Sequence, residues 1–169
     1  MKRGAVRLLR GAGVDPRLPL GNVELRELLT DLRDVFGLDW AALGLRLVDD
    51  AEMAELNETF LGCKGPTNVL AFPAGEGGPA LGSADEDAGE EPAAPEGTGE
   101  EPAEGTHLGE IALSVPTLLR EAELYGQPPG EHLVRLLAHA LLHLAGHDHG
   151  PLMDALTDQA VDRLRGRWG

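Results

Sequence analysis

"HALLHLAGHDHG", residues 139–150, holds four of the six histidines of the chain along a leucine-rich stretch. His139 and His143 are four apart, so on a helix they stand about 40° apart on one face and one turn apart along the axis. Two imidazole nitrogens can then converge on one ion. Gly146 is the residue type that takes the left-handed conformation ending a helix, and a reversal there returns His149 toward the same ion. Three neutral imidazoles around a divalent cation, with one position left for water, form the donor set of catalytic rather than structural zinc. Nickel and copper suit the same ligands. A single HxxxH pair arises often by chance, and a lone buried histidine is usually just hydrogen-bonded core. Three, with a glycine between, along an otherwise apolar helix and its end are harder to bury without a common partner. His147 reads as a flanking residue that need not converge. His132, seven before His139, lies on the same face about 10 Å further along. That is too far to share the ion, so it lines the approach or faces solvent.

Outward from this stretch, residues 131–145 are apolar on nearly every side, which marks a central helix, and 152–165 read as a closing amphipathic helix. "NVELRELLTDLRDVF", 22–36, has helical spacing with Asn22 as its cap, and Asp50 caps a short helix ending near Asn57. Ser114 and Pro116 open a helix through about Tyr125, stopped by "GQPPG". Strands are expected around Val6 and Leu8, over 43–48, over 67–72 and over 107–115. Four strands with interspersed helices suggest a mixed sheet of α+β or α/β type.

A chain of 169 residues has enough material for one domain with a proper core. Its lone cysteine, Cys63, cannot form an intrachain disulfide, which fits a reducing compartment. No apolar run reaches membrane length, and Arg7 and Arg10 break the opening "MKRGAVRLLRGAGV" before a signal-type core can form. A cytoplasmic protein is the default expectation. The formal charge of −15 looks hostile to nucleic acid, but residues 74–106 carry ten Asp or Glu and no Lys or Arg, leaving 19 acids against 14 bases elsewhere. With eight Gly, four Pro and Leu81 as its one large aliphatic residue, that segment is expected to be a disordered insertion. It reads as a solvated spacer or as an acidic mimic competing with RNA for a groove.

The spacing HxxxHxxGxxH also occurs in zinc proteases, where a glutamate after the first histidine is the general base. Here that position is Ala140, which moves a metallopeptidase to second place. Three blocks then resemble, in order, the YbeY-type endoribonucleases, or rRNA maturation factors. "LNETFLGCKGPTNVLAFP", 56–73, is similar to the family's LN…PT(D/N)VLSFP block, "LGEIALS", 108–114, to its LGDI strand, and "HALLHLAGHDH", 139–149, to its HGxLHLxGYDH signature. Met153 falls where a methionine is usual.

The resemblance implies an α+β, zincin-like single domain built around a central metal-binding helix. It implies a zinc-dependent, single-strand-specific endoribonuclease with one Zn2+ held by His139, His143 and His149. Its work would be rRNA processing (16S rRNA 3′-end maturation) and ribosome quality control. The partners would be single-stranded rRNA and the small ribosomal subunit, with no DNA and no membrane. Asp148 is a candidate to orient an imidazole, or a plain turn residue. Glu110 stands in for the family's Asp near the site, or pairs at a strand edge. Asn57, Pro66, Thr67 and Asn68 are expected to shape the loop beside the metal or to contact substrate. The chain departs from the pattern at Leu61, where an arginine is usual, at Ala71 and Ala140, and at Arg135, where many relatives carry histidine. Lys64 or Arg135 would have to supply the missing cation, or each is an ordinary surface charge. A noncatalytic, metal-binding ribosome-assembly factor is the third alternative, with turnover lost at Leu61.

Overall fold

The computed structural model describes residues 4–11, 17–18, 20–74 and 107–168. The acidic stretch, apart from Ala74, lies outside them. The described elements run β1 (Val6–Arg10), α1 (Asn22–Phe36), β2 (Ala42–Val48), α2 (Asp50–Leu61), β3 (Val69–Pro73), β4 (His107–Ser114), α3 (Val115–Tyr125), α4 (Pro129–Leu144) and α5 (Pro151–Trp168). The four strands form one sheet in the order β1-β2-β4-β3. β1/β2 and β2/β4 are parallel, while β3/β4 is antiparallel. This is an α+β fold with a mixed sheet.

Alternation along the strands decides which face each helix covers. Leu43, Leu45 and Leu47 of β2 join Ile111 and Leu113 of β4 in the main core, together with Leu133, Leu137 and Leu141 of α4. The opposite face carries Val48, Ala112, Leu70 and Phe72, packed on Met53 of α2. α4 is the central helix: eleven of its sixteen residues are buried, and the histidine stripe lies where its burial lapses.

Three local expectations are corrected. Asn22 does not cap α1: Gly21 holds that position, and the Asn22 Oδ1 accepts from the Arg10 guanidinium at 3.0 and 3.1 Å. Nor does Asp50 cap α2. The Asp49 side chain accepts from the Glu52 N–H at 2.8 Å, while Asp50 accepts from Ser114 Oγ, Thr117 Oγ1 and Arg120, each at 2.7 Å. That contact ties α2 to the start of α3. Finally, α2 runs past Asn57 to Leu61, because the αL residue that ends it is Gly62.

Candidate metal centre

α4 supplies His139 and His143 from one face, and its C-terminus supplies the turn that brings in the third ring. Gly146, at φ +96°, takes the positive φ that reverses the chain. The His147 N–H donates back to the Leu142 carbonyl at 3.0 Å, closing that turn. His149 then returns over the stripe. Ring centroids lie 4.8 Å apart for His139 and His143, 5.0 Å for His139 and His149, and 4.5 Å for His143 and His149. One nitrogen from each ring lies within 4.8 Å of the others. Donors on a zinc ion with bonds of 2.0–2.1 Å sit roughly 3.3 Å apart, inside the 4.8 Å limit that bounds these nitrogens.

The electrostatics favour neutral rings at His139 and His143. Burial is the first cause lowering the His139 pKa, followed by the charges of His143 and His149, with Asp154 opposing them. His143 is lowered by burial and then by His149, against a hydrogen bond with the His147 backbone and the charge of Asp148. His139 and His143, costly to protonate and crowded against a third imidazole, fit a divalent cation.

The trio opens on a cleft of about 720 Å³. One wall is β3, with Val69, Leu70, Ala71 and Pro73, and Asn68 just before it; the other is the α4 terminus through His147 and Asp148; Leu61 stands at its edge. No Lys or Arg is among the described lining residues.

A family model described as "Endoribonuclease YbeY" matches residues 23–160. The chain belongs to the YbeY family. Among curated YbeY relatives, "Endoribonuclease YbeY" of Oleidesulfovibrio alaskensis is 44% identical over 149 residues, covering 88% of this chain and 86% of that protein. The one from Nitratidesulfovibrio vulgaris is 44% identical over 144 residues, covering 85% of each. A Thermotoga maritima protein solved in solution shares the fold, with a TM-score of 0.58 and 24% identity over 96% of this chain and 91% of that one.

Of the site residues expected from sequence in this YbeY chain, His139, His143, His149, Asp148 and Asn68 come together at the cleft. Asn57 shapes the neighbouring loop: its Nδ2 donates to the Gly65 carbonyl at 2.9 Å. Thr67 is half-buried in the same loop, and neither it nor Asn57 lines the cleft. Lys64 is exposed on that loop. Arg135 donates to Asp158 of α5 at 2.8 Å and is not a lining residue. Glu110 faces His107 at 3.2 Å, its carboxylate filling the space a Cβ on Gly44 would take, so it is not part of the cleft. His132 neither lines the approach nor faces solvent: it is buried, with Nε2 3.0 Å from Glu121 Oε1.

Two contributions escaped the sequence. Glu121 also accepts from Asn68 Nδ2 at 3.1 Å, so α3 buttresses the β3 wall from behind. Nothing in the local pattern marks it, because its partners lie 53 and 11 residues away. Asp154, in the first turn of α5, acts by its charge on His139. Its position five after His149 was the available signal. No described helix is long and apolar enough to cross a membrane.

Proposed function

We propose that this chain is a zinc-dependent, single-strand-specific endoribonuclease of rRNA processing, acting at the 3′ end of small-subunit rRNA and in ribosome quality control. The observation that carries the reading is the convergence of His139, His143 and His149 on a cleft in a YbeY-family chain. We further propose a zincin-like single domain with the acidic stretch as an insertion, a cytoplasmic location, and the small ribosomal subunit as partner.

His139, His143 and His149 would hold the ion. When bound, it supplies Lewis-acid polarisation of the scissile phosphate and offsets charge that grows there during cleavage. The remaining work falls to the chain. His147 and Asp148 are the other titratable groups among the described lining residues, which makes them the candidates to carry protons to and from the reacting oxygens. Asp148, whose charge acts on His143, would also orient that ring. Lys64, on the exposed loop between Leu61 and Asn68, would meet the RNA backbone. Arg135, paired with Asp158, is not given that part.

Peptide hydrolysis is the weaker alternative. Ala140 is buried and carries no carboxylate, and Asp148 is the one acidic residue among those described at the cleft. The test is to incubate pure protein, with and without chelator, with a 3′ precursor fragment of small-subunit rRNA, the same fragment annealed to its complement, and casein. Chelator-sensitive cleavage of the single strand alone supports the reading. Casein cleavage or inert RNA overturns it.

A further inference from the structure

β3 is the last strand of the sheet, so one of its edges has no strand partner among the described residues. The register pairs Leu70 with Ala112 and Phe72 with Glu110. Just beyond the strand, the Ser114 N–H donates to the Asn68 carbonyl at 2.8 Å, and the Ala74 N–H to the Leu108 carbonyl at 2.9 Å. In an antiparallel ladder these bonds fix the parity. Even-numbered residues of β3 turn their amides and carbonyls toward β4; Val69, Ala71 and Pro73 turn theirs outward. All three line the metal cleft.

The outward edge is lopsided in its chemistry. The Val69 N–H is already taken, donating to Asn68 Oδ1 at 2.7 Å. Pro73 has no N–H. That leaves one donor, the Ala71 N–H, and three acceptors, the carbonyls of Val69, Ala71 and Pro73, for which no described residue supplies a bond. A peptide adding as a further strand needs alternating donors and acceptors along the whole edge, and two of the three donors are missing. A base needs less. The Watson–Crick edge of every nucleobase sets a donor beside an acceptor, which the N–H and C=O of a single residue can meet.

We propose that the free edge of β3 is a subsite for one unpaired nucleotide, whose Watson–Crick edge bonds the Ala71 N–H and C=O while its phosphate lies toward His139, His143 and His149. The inference rests on the endoribonuclease reading and deepens it. A base already paired in a duplex has no free edge to offer, so the subsite selects single strands without selecting sequence.

The test uses metal-loaded protein and a short single-stranded RNA with one cleavage site. At each position around that site one nucleotide is replaced in turn by its abasic form or by N3-methyluridine, which blocks the base edge. The expected result is one position at which both replacements lower kcat/KM about three- to tenfold, the size of a lost hydrogen bond or two, while the four natural bases there differ by less than twofold. Ala71→Pro removes the one donor without touching the ladder to β4 and should abolish that position's sensitivity. The unmodified enzyme's replacement series stands alone if that variant does not fold. Cleavage indifferent to both replacements at every position overturns the subsite while leaving the ribonuclease reading intact. Protection of the Ala71 amide by an extended peptide but not by RNA overturns it in favour of a strand-adding partner. RNA that is neither cleaved nor bound overturns both.

Discussion

Glu121→Ala tests the support behind the cleft. The Glu121 carboxylate accepts from Asn68 Nδ2 at 3.1 Å and sits 3.0 Å from His132 Nε2. His132 Nδ1 is buried without a partner, so this contact is that ring's one polar anchor among the described residues. A hydrogen bond to a charged group contributes about 1.5–3 kcal/mol, and a buried donor left unmet costs about 1–3 kcal/mol. These overlap, and the Glu121 side chain is 24% exposed, so water recovers part of the loss. We expect a net cost of about 2–3 kcal/mol, or roughly 10 °C in Tm for a domain of this size. Glu121→Gln keeps an acceptor facing both partners and should cost about 1 kcal/mol. Urea unfolding of the chelated protein gives both numbers from the midpoint at constant slope. An Ala variant within about 0.5 kcal/mol of the parent, the scale of an ordinary surface change, would refute the buttress.

Three further outcomes follow from the geometry. His139 and His143 have pKa values below the ordinary 6.5 in the folded chain. The unfolded chain therefore binds protons first, and the metal-free protein should lose stability as pH falls below about 6.5 and hold it above; unfolding midpoints that stay flat from pH 7.5 to 5.5 would contradict this. For Asp50, burial alone would raise the pKa, but hydrogen bonds from Arg120, Thr117 and Ser114 and the charge of Arg120 outweigh it and lower the value below 3.8. Its contribution is thus present above pH 4 and lost as acid takes the pH through the lowered value; Asp50→Ala should cost about 2 kcal/mol at pH 7 and progressively less in acid, read by urea unfolding. Leu61 is exposed and lines the cleft, so Leu61→Arg should raise kcat/KM on single-stranded RNA several-fold, with Tm nearly unchanged. Steady-state cleavage rates check it, and no gain would mean the cleft lacks no cation.

What could be read from sequence was what repeats at a fixed period. The four-residue step from His139 to His143 was legible because helix geometry leaves little choice, and Gly146 past the helix end marked the reversal that brings in His149. Helix α1 and the parity of β2 were likewise legible. The choice between Asp49 and Asp50 as a cap was not, because Ser114, Thr117 and Arg120, more than sixty residues on, claim the Asp50 carboxylate. The same holds for His132, whose seven-residue step from His139 identifies its face but not the carboxylate that α3 brings against it. Glu110 was placed near the site by its likeness to the family's Asp, yet its carboxylate lies over Gly44. The outward parity of Ala71 depends on the register with β4, which lies beyond the acidic stretch.

His139, His143 and His149 are proposed to share one ion on which RNA cleavage depends. Elemental analysis of the native protein and of His139→Ala, His143→Ala and His149→Ala, with a single-strand cleavage assay on the same samples, tests it most directly. One equivalent of a divalent metal in the parent is expected, with metal and cleavage falling together in every variant. Unchanged stoichiometry in all three, or full cleavage without metal, would contradict it.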